Sequence, residues 1–339
     1  MSRIIGPEGQ PQVPDAARVC HLTVDESGVG QRLDNYLLRQ LKGVPKTHVY
    51  RIIRSGEVRV NKARAQADTR LQCGDLVRVP PVRVAQAAPA ALRPAPPRDF
   101  EILYEDEALL AIHKPAGVAV HGGSGVSYGV IEQLRQARPE ARFLELVHRL
   151  DRETSGILLV ARRRSALTRL QEQFRSRQTG KTYLAWVLGE WPQRLKVLDA
   201  PLKRYLVAAG SAGATAGSEG ERRVRVATRD DPDAQAALSL VRVRERAPGF
   251  TWLEVTIKTG RTHQIRVHLA SAGYPIAGDD KYGDFDRNKA LTRSGLRRMA
   301  LHAWKLEFDH PTTGARMALE AAPPPDLEEF WNHVRNRSV

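Results

Sequence analysis

The chain is poor in cysteine, with two in 339 residues, Cys20 and Cys73, and no CxxC pair. That inventory supports neither a disulfide framework nor a structural zinc cage, and a reducing compartment is the expectation. Long apolar runs are also missing. No stretch of about 18 apolar residues occurs to span a bilayer, and the opening MSRIIGPEGQPQVPDAARV lacks the apolar run of a signal peptide. A cytoplasmic protein without a membrane partner is predicted. Acidic residues are scarce too, 38 against 53 Lys and Arg, which leaves a formal charge of +15.

What is present is enough for a folded protein. A hydrophobic content of 42% can fill an ordinary core, and 339 residues leave room for two domains. Forty-two of the 53 basic residues are Arg, which a GC-rich coding sequence would give any protein. Position argues for more than composition. Arg32 to Arg78 carries +7 and Arg138 to Lys181 carries +6, so two segments hold most of the charge and suggest contacts with a polyanion.

Residues 1–17 read as a flexible tail. In Arg32 to Leu41 the residues Leu33, Tyr36, Leu37 and Leu41 recur at helical spacing. A second short helix is expected over Thr47 to Arg54, with Thr47 as N-cap and Ser55-Gly56 as its stop. Alternation from Glu57 to Asn61 and from Leu76 to Val79 adds strands, completing a small basic unit over 18–80. Prolines at 81, 89, 94, 96 and 97 then predict a Pro/Ala linker over 81–98. Beyond it, over 99–339, strand-like runs begin near 101, 108, 157, 182 and 252, interleaved with helical patterns near Gly129, Ser165 and Gln264. This is an α+β pattern. Ala208 to Gly220 reads as a mobile loop and Asp326 to Val334 as a terminal helix.

The segment richest in chemistry is His148-Arg149-Leu150-Asp151-Arg152-Glu153-Thr154-Ser155-Gly156, set before the apolar run Ile157 to Val160. Cationic neighbours favour a carboxylate's ionised form, and loops beside strand ends commonly carry reactive groups. By pattern alone, a surface salt-bridge cluster explains Asp151 equally well. His113-Lys114-Pro115-Ala116-Gly117, Lys181-Thr182-Tyr183-Leu184-Ala185 and Thr259-Gly260-Arg261-Thr262-His263-Gln264-Ile265-Arg266-Val267-His268 stand on either side. No HExxH, Walker A or GxGxxG pattern accompanies them, so no metal or nucleotide cofactor is expected.

These four segments, in this order, resemble the RluA/RluC/RluD family of RNA pseudouridine synthases, over about Phe100 to Pro323. The basic unit resembles an S4 RNA-binding domain. His121-Gly122-Gly123-Ser124-Gly125 and Asp279-Asp280-Lys281-Tyr282-Gly283 are most similar to the RluC branch, which modifies large-subunit ribosomal RNA. The resemblance implies a pseudouridine synthase catalytic fold, with a mixed, largely antiparallel sheet, flanking helices and an RNA-binding cleft, behind a small S4-like α/β domain. It implies Asp151 as the catalytic carboxylate, Arg266 as its pairing arginine, and Tyr183 as the residue that stacks on the base and is a candidate to remove the C5 proton. The carboxylate either captures C1′ or assists removal of the 2′ proton to give a glycal.

Arg149 matches the family residue that fills the space left by a flipped base, with plain phosphate binding as the other reading. Lys114 is expected to touch phosphate, unless Pro115 and Gly117 make the segment only a turn. Arg152, His121, Arg32, Lys46, Arg51, Arg54 and Arg59 are further expected RNA contacts. Ile265 and Val267 are expected to line the apolar side of the pocket, and His263 and His268 to serve packing or RNA contact. Asp231 to Leu238 departs from the Gly-Lys-x-Ala-x-Thr-like strand entry common in relatives. The expected partner is ribosomal RNA of the large subunit and the expected state a monomer. The alternatives are a catalytically silent RNA-binding assembly factor of the same fold and a glycoside-type hydrolase; an Arg-flanked Asp disfavours the raised-pKa acid that the hydrolase needs.

Overall fold

The computed structural model describes residues 19–25, 28–41, 44–82, 95–122, 128–207 and 221–336. The tail at 1–17, the loop at 208–220 and most of the Gly-rich segment at 122–125 lie outside these residues, as does 83–94 of the expected linker. The chain divides into two compact units, 1–94 and 95–339. At the ends of the expected linker, Val82 is packed into the first unit's core and Ala95 is buried.

The first unit contains β1 (Cys20–Thr23), α1 (Leu33–Gln40), α2 (Lys46–Arg54), β2 (Arg59–Val60), β3 (Ala63–Arg64) and β4 (Leu76–Val79), with sheet order β1-β4-β2-β3. Leu33, Tyr36 and Leu37 on α1 meet Val49, Ile52 and Ile53 on α2 over Val77 and Val79. Thr47 does not cap α2. The helix starts one residue earlier, behind Pro45, whose φ of −56° already suits a helix start, and Thr47 is exposed within the first turn. Asp34 is buried on α1, where it accepts from the Arg32 guanidinium at 2.8 Å and from Tyr50 Oη at 3.0 Å.

The second unit contains β5 (Ile102–Glu105), β6 (Leu109–Lys114), α3 (Val130–Ala137), β7 (Glu145–Leu146), β8 (Ser155–Ala161), α4 (Arg164–Arg175), β9 (Gly180–Leu188), β10 (Val197–Asp199), β11 (Leu202–Val207) and β12 (Glu221–Val226). It continues with β13 (Leu238–Ala247), β14 (Phe250–Ile257), α5 (Gln264–Ser271), α6 (Phe285–Arg293), β15 (Leu301–Asp309), β16 (Arg316–Glu320) and α7 (Pro325–Asn336). The main sheet runs β10-β13-β14-β9-β15-β8-β6-β5, with β16 beside β15 and β7 beside β8. Among the described residues only the β15–β8 pairing is parallel, so the sheet is mixed and largely antiparallel.

Alternation along the central strands covers both faces of this sheet. Leu110, Ile112, Leu158 and Val160 meet Val130, Ile131 and Leu134 of α3. Their neighbours Leu109, Ala111, Ile157 and Leu159 meet Ala166, Leu167 and Leu170 of α4. A strand covered on both faces reads as one continuous apolar run, which is why Ile157 to Val160 stands out in the sequence. α7 closes the far end with Leu327, Phe330, Trp331 and Val334, and Trp331 donates to Glu245 on β13 at 2.8 Å.

The parallel junction depends on a glycine. Gly156 has φ +113° and pairs with Ala303, and a Cβ there would lie 2.2 Å from the Ala303 carbonyl oxygen. Gly156→Ala therefore meets both an unfavourable backbone and a fixed neighbour. It should lower unfolding free energy by about 2–5 kcal/mol in a urea titration, and a stability equal to the parent would contradict this packing.

Candidate active site

The turn between β7 and β8 carries Asp151. It is anchored at both ends by the Val147 N–H donating to Leu159 O at 3.1 Å and by Thr154 N–H donating to Asp151 O at 3.2 Å. Leu150 plugs into the core beneath it, which turns the Asp151 side chain into a pocket. Tyr183, Ile257, Leu301, Ile265, Arg266, His263 and Arg149 line the same pocket.

Arg266 lies 115 residues downstream, on α5, and is 3% exposed. Its Nη1 donates to Asp151 Oδ2 at 3.4 Å. The other side of the guanidinium makes a bidentate pair with buried Asp279, Nε to Oδ2 at 2.8 Å and Nη2 to Oδ1 at 2.7 Å, and Nη2 also reaches Asp280 at 3.2 Å. The Tyr282 ring covers it at 5.2 Å. Three carboxylates hold Arg266 firmly protonated against the opposing effect of burial. Asp279 is itself fixed by the backbone N–H groups of Lys281 and Tyr282, at 2.8 and 3.0 Å, and its pKa is held below the ordinary carboxylate value by Arg266 despite burial.

The start of α5 is fastened independently. Gln264 is buried, accepts from Thr259 Oγ1 and Arg261 N, and donates to Leu238 O and Ser239 Oγ. His268 packs inside, with its ring nitrogens 3.0 Å from Ser239 Oγ and 2.9 Å from Ala200 O. His263 precedes the helix with φ +54° and places Nε2 at 3.9 Å from Asp151 Oδ1. Tyr183 lies on β9, and burial together with the Asp151 carboxylate pushes its phenol well above the ordinary value. It offers a flat ring to the pocket, and its phenol is harder to ionise than a solvated tyrosine's, so it stays protonated.

Two expectations fail on geometry. Lys114 is fully buried and cannot reach a phosphate; its Nζ donates to Pro115 O, Val118 O and Arg152 O at 2.7, 2.8 and 3.0 Å. It ties the turn carrying Asp151 to the turn after β6, and burial lowers its pKa to about 7. Val267 does not line the pocket. Two helical positions are about 200° apart, so Ile265 faces the pocket while Val267 packs with Leu202, Val224 and Ala237 under the β11–β12 hairpin.

Arg149, Arg152 and His121 are exposed; Arg149 lies at the pocket rim, while Arg152 donates to Gly117 O and pairs with Glu153. In the first unit Lys46, Arg51 and Arg54 share the solvent face of α2, Arg59 is half-buried on β2, and Arg32 is partly taken up by Asp34. The basic window at 138–181 is less available than its charge suggests. Arg138 and Arg162 pair with Glu105, Arg163 with Glu107 and Arg175 with Glu172, and Lys181 is buried. Asp231 pairs with Lys203 at 3.0 Å and ties its loop to β11. Among the described residues no cluster of three or more His, Cys, Asp or Glu could hold a metal ion, and no helix is long and apolar enough to cross a membrane.

A carboxylate held by a buried arginine at the base of an open pocket, on a mixed sheet, has the form of an enzyme site. Residues 108–271 match the profile of the RNA pseudouridylate synthase family, and residues 31–77 match the S4 domain. The chain belongs to the RNA pseudouridine synthase family, whose members are isomerases. Its relatives include ribosomal large subunit pseudouridine synthase C of Haemophilus influenzae, 50% identical over 93% of this chain and 94% of that one. The protein of the same name from Escherichia coli K12 is 48% identical over 95% and 98%. Among solved structures, human RNA pseudouridylate synthase domain containing 4 is similar at 27% identity and a TM-score of 0.56, covering 69% of this chain and 93% of that one.

The carboxylates that orient Arg266 had a trace in the sequence, the Asp279-Asp280 pair, but no pattern there shows which arginine they serve. Asp279→Ala strands a buried guanidinium and should cost about 3–5 kcal/mol in chemical unfolding. Asp280→Ala, at a side chain 66% exposed, should cost less than about 1 kcal/mol. Equal effects from the two would contradict the clamp.

Proposed function

We propose that this protein isomerises specific uridines of large-subunit ribosomal RNA to pseudouridine, with Asp151 as the carboxylate acting at C1′. The observation that carries this reading is the Asp151–Arg266–Asp279 chain at the pocket floor beside Tyr183. The names and the coverage of the relatives support the choice of substrate.

In this reading the target uridine leaves its stack, costing a few kcal/mol that contacts elsewhere on the RNA offset. Tyr183 receives the face of the base and Ile265 supplies an apolar wall. Arg149 at the rim fills the vacated stack or holds a flanking phosphate, and Arg152 and His121 extend the cationic edge. The N1–C1′ bond breaks, the uracil turns while held, and C5 bonds to C1′. The Asp151 carboxylate serves either by capturing electron-poor C1′ or by assisting loss of the 2′ proton. The exchange is redox-neutral and consumes no cofactor. Lys46, Arg51 and Arg54 on α2, with Arg32 and Arg59 beside them, grip phosphates in a sequence-independent way and set register. The protein acts as a monomer in the cytoplasm.

The test is tritium release from large-subunit ribosomal RNA labelled at uracil C5. The parent should release tritium and form pseudouridine, and Asp151→Asn should do neither while binding the RNA equally well. Binding without release by either protein would instead establish a silent assembly factor, and liberation of free uracil would establish a hydrolase.

A further inference from the structure

Once C5 is joined to C1′, one step is left. C5 still carries its hydrogen, and N1, freed from the sugar, is doubly bonded to C6. The product requires that hydrogen to leave C5 and a proton to arrive at N1. Because C5 is one bond from C1′, the group that moves the proton must stand beside the carboxylate that acts there.

His263 stands in that place. It lines the pocket, its Nε2 is 3.9 Å from Asp151 Oδ1, and its side chain is only 14% exposed. Its Nδ1 is 2.8 Å from Tyr282 Oη, which also accepts the Val224 N–H at 3.0 Å. A left-handed backbone at a non-glycine residue is uncommon, and such positions cluster at functional sites. Here that conformation points the ring at the carboxylate rather than along α5.

Apart from Asp151, which acts at C1′ in this reading, the other ionisable groups of the pocket are unsuited to the task. Arg266 is engaged by three carboxylates, Arg149 and Arg261 do not give up a proton in a protein, and the Tyr183 phenol is pushed upward by burial and by Asp151. Burial pushes His263 below the ordinary histidine value, with Arg266 and Lys281 adding to this and Asp151 and Asp279 opposing it. It is therefore a neutral imidazole at pH 7.

We propose that His263 is a catalytic residue, the base that takes the proton from C5 of the rearranged uracil and returns it to N1. The inference rests on the reading of Asp151 given above. Nε2 bonds to the C5 hydrogen, the C–H electron pair becomes the C5–C6 double bond, and the C6–N1 π pair moves onto N1. The imidazolium then gives its proton to N1 and is neutral again, so no external oxidant, reductant or base is consumed. The tautomer this needs carries its proton on Nδ1, donated to Tyr282 Oη. Asp151 steadies the transient imidazolium.

The experiment compares the parent, Asp151→Asn and His263→Asn on an unmodified large-subunit ribosomal RNA transcript with hydrogen or deuterium at uracil C5, scoring pseudouridine by chromatography. Asn is chosen because it tolerates the left-handed backbone. His263→Asn should bind the transcript like the parent, form product about 100-fold more slowly, and show a primary deuterium isotope effect larger than the parent's. A rate within about threefold of the parent would overturn the proposal. So would a slow variant with the parent's isotope effect, since a merely structural loss slows every step alike. A parent that forms no pseudouridine, or an Asp151→Asn enzyme that forms it at the parental rate, would overturn the reading of the site on which the proposal rests.

Discussion

Arg266 is a charge taken almost wholly out of water, and everything around it is arranged to make that tolerable. An unpaired guanidinium at 3% exposure would cost several kcal/mol, so a buried partner is obligatory. Asp279 meets two edges of the fork with good geometry, and its own remaining valence is taken by the backbone of the loop it starts. That fixes the guanidinium in one plane. The remaining nitrogen then points at Asp151, so the carboxylate on one hairpin is held by a loop 128 residues away in sequence.

The same turn is held from its other side by Lys114, whose ammonium gathers three carbonyls and leaves none of its own donors unused. Gly156 lets β8 approach β15 closely immediately after it. Asp151 thus sits in the turn just before β8, a buried and deeply packed strand, with Lys114 tying that turn from one side and the Arg266 guanidinium in front. The Asp151 carboxylate in the open pocket is therefore positioned by the core itself.

Much of this was legible in the chain. The two-sided burial of β6 and β8 left continuous apolar runs, and α1, α4 and α7 announced themselves by periodicity. The elements that escaped have weak signals for physical reasons. α6 buries only Leu291, so it has no stripe. β13 carries Arg242, Arg244 and Glu245 on a half-exposed edge and reads as a polar segment. β15 mixes His302 and Lys305 into a buried strand. Lys114 looked like a phosphate ligand because a lysine beside a proline turn is usually exposed, and nothing local reveals three converging carbonyls. Val267 was misplaced although the segment reads as a helix, because positions two apart on a helix face nearly opposite ways and only one of Ile265 and Val267 can meet the pocket. The pairing of Arg266 with Asp151 could be expected only from resemblance, and its dependence on Asp279 not at all.

The account's central claim is that Arg266 acts through the shape of its fork, not through charge alone. Arg266→Lys keeps the charge but cannot bridge Asp279 and Asp151 together. Turnover and RNA affinity measured side by side on this variant decide the matter. The account predicts turnover lower by about 100-fold at parental affinity, in line with loss of a positioned group. Parental turnover, or a loss that lies wholly in RNA affinity, would contradict it.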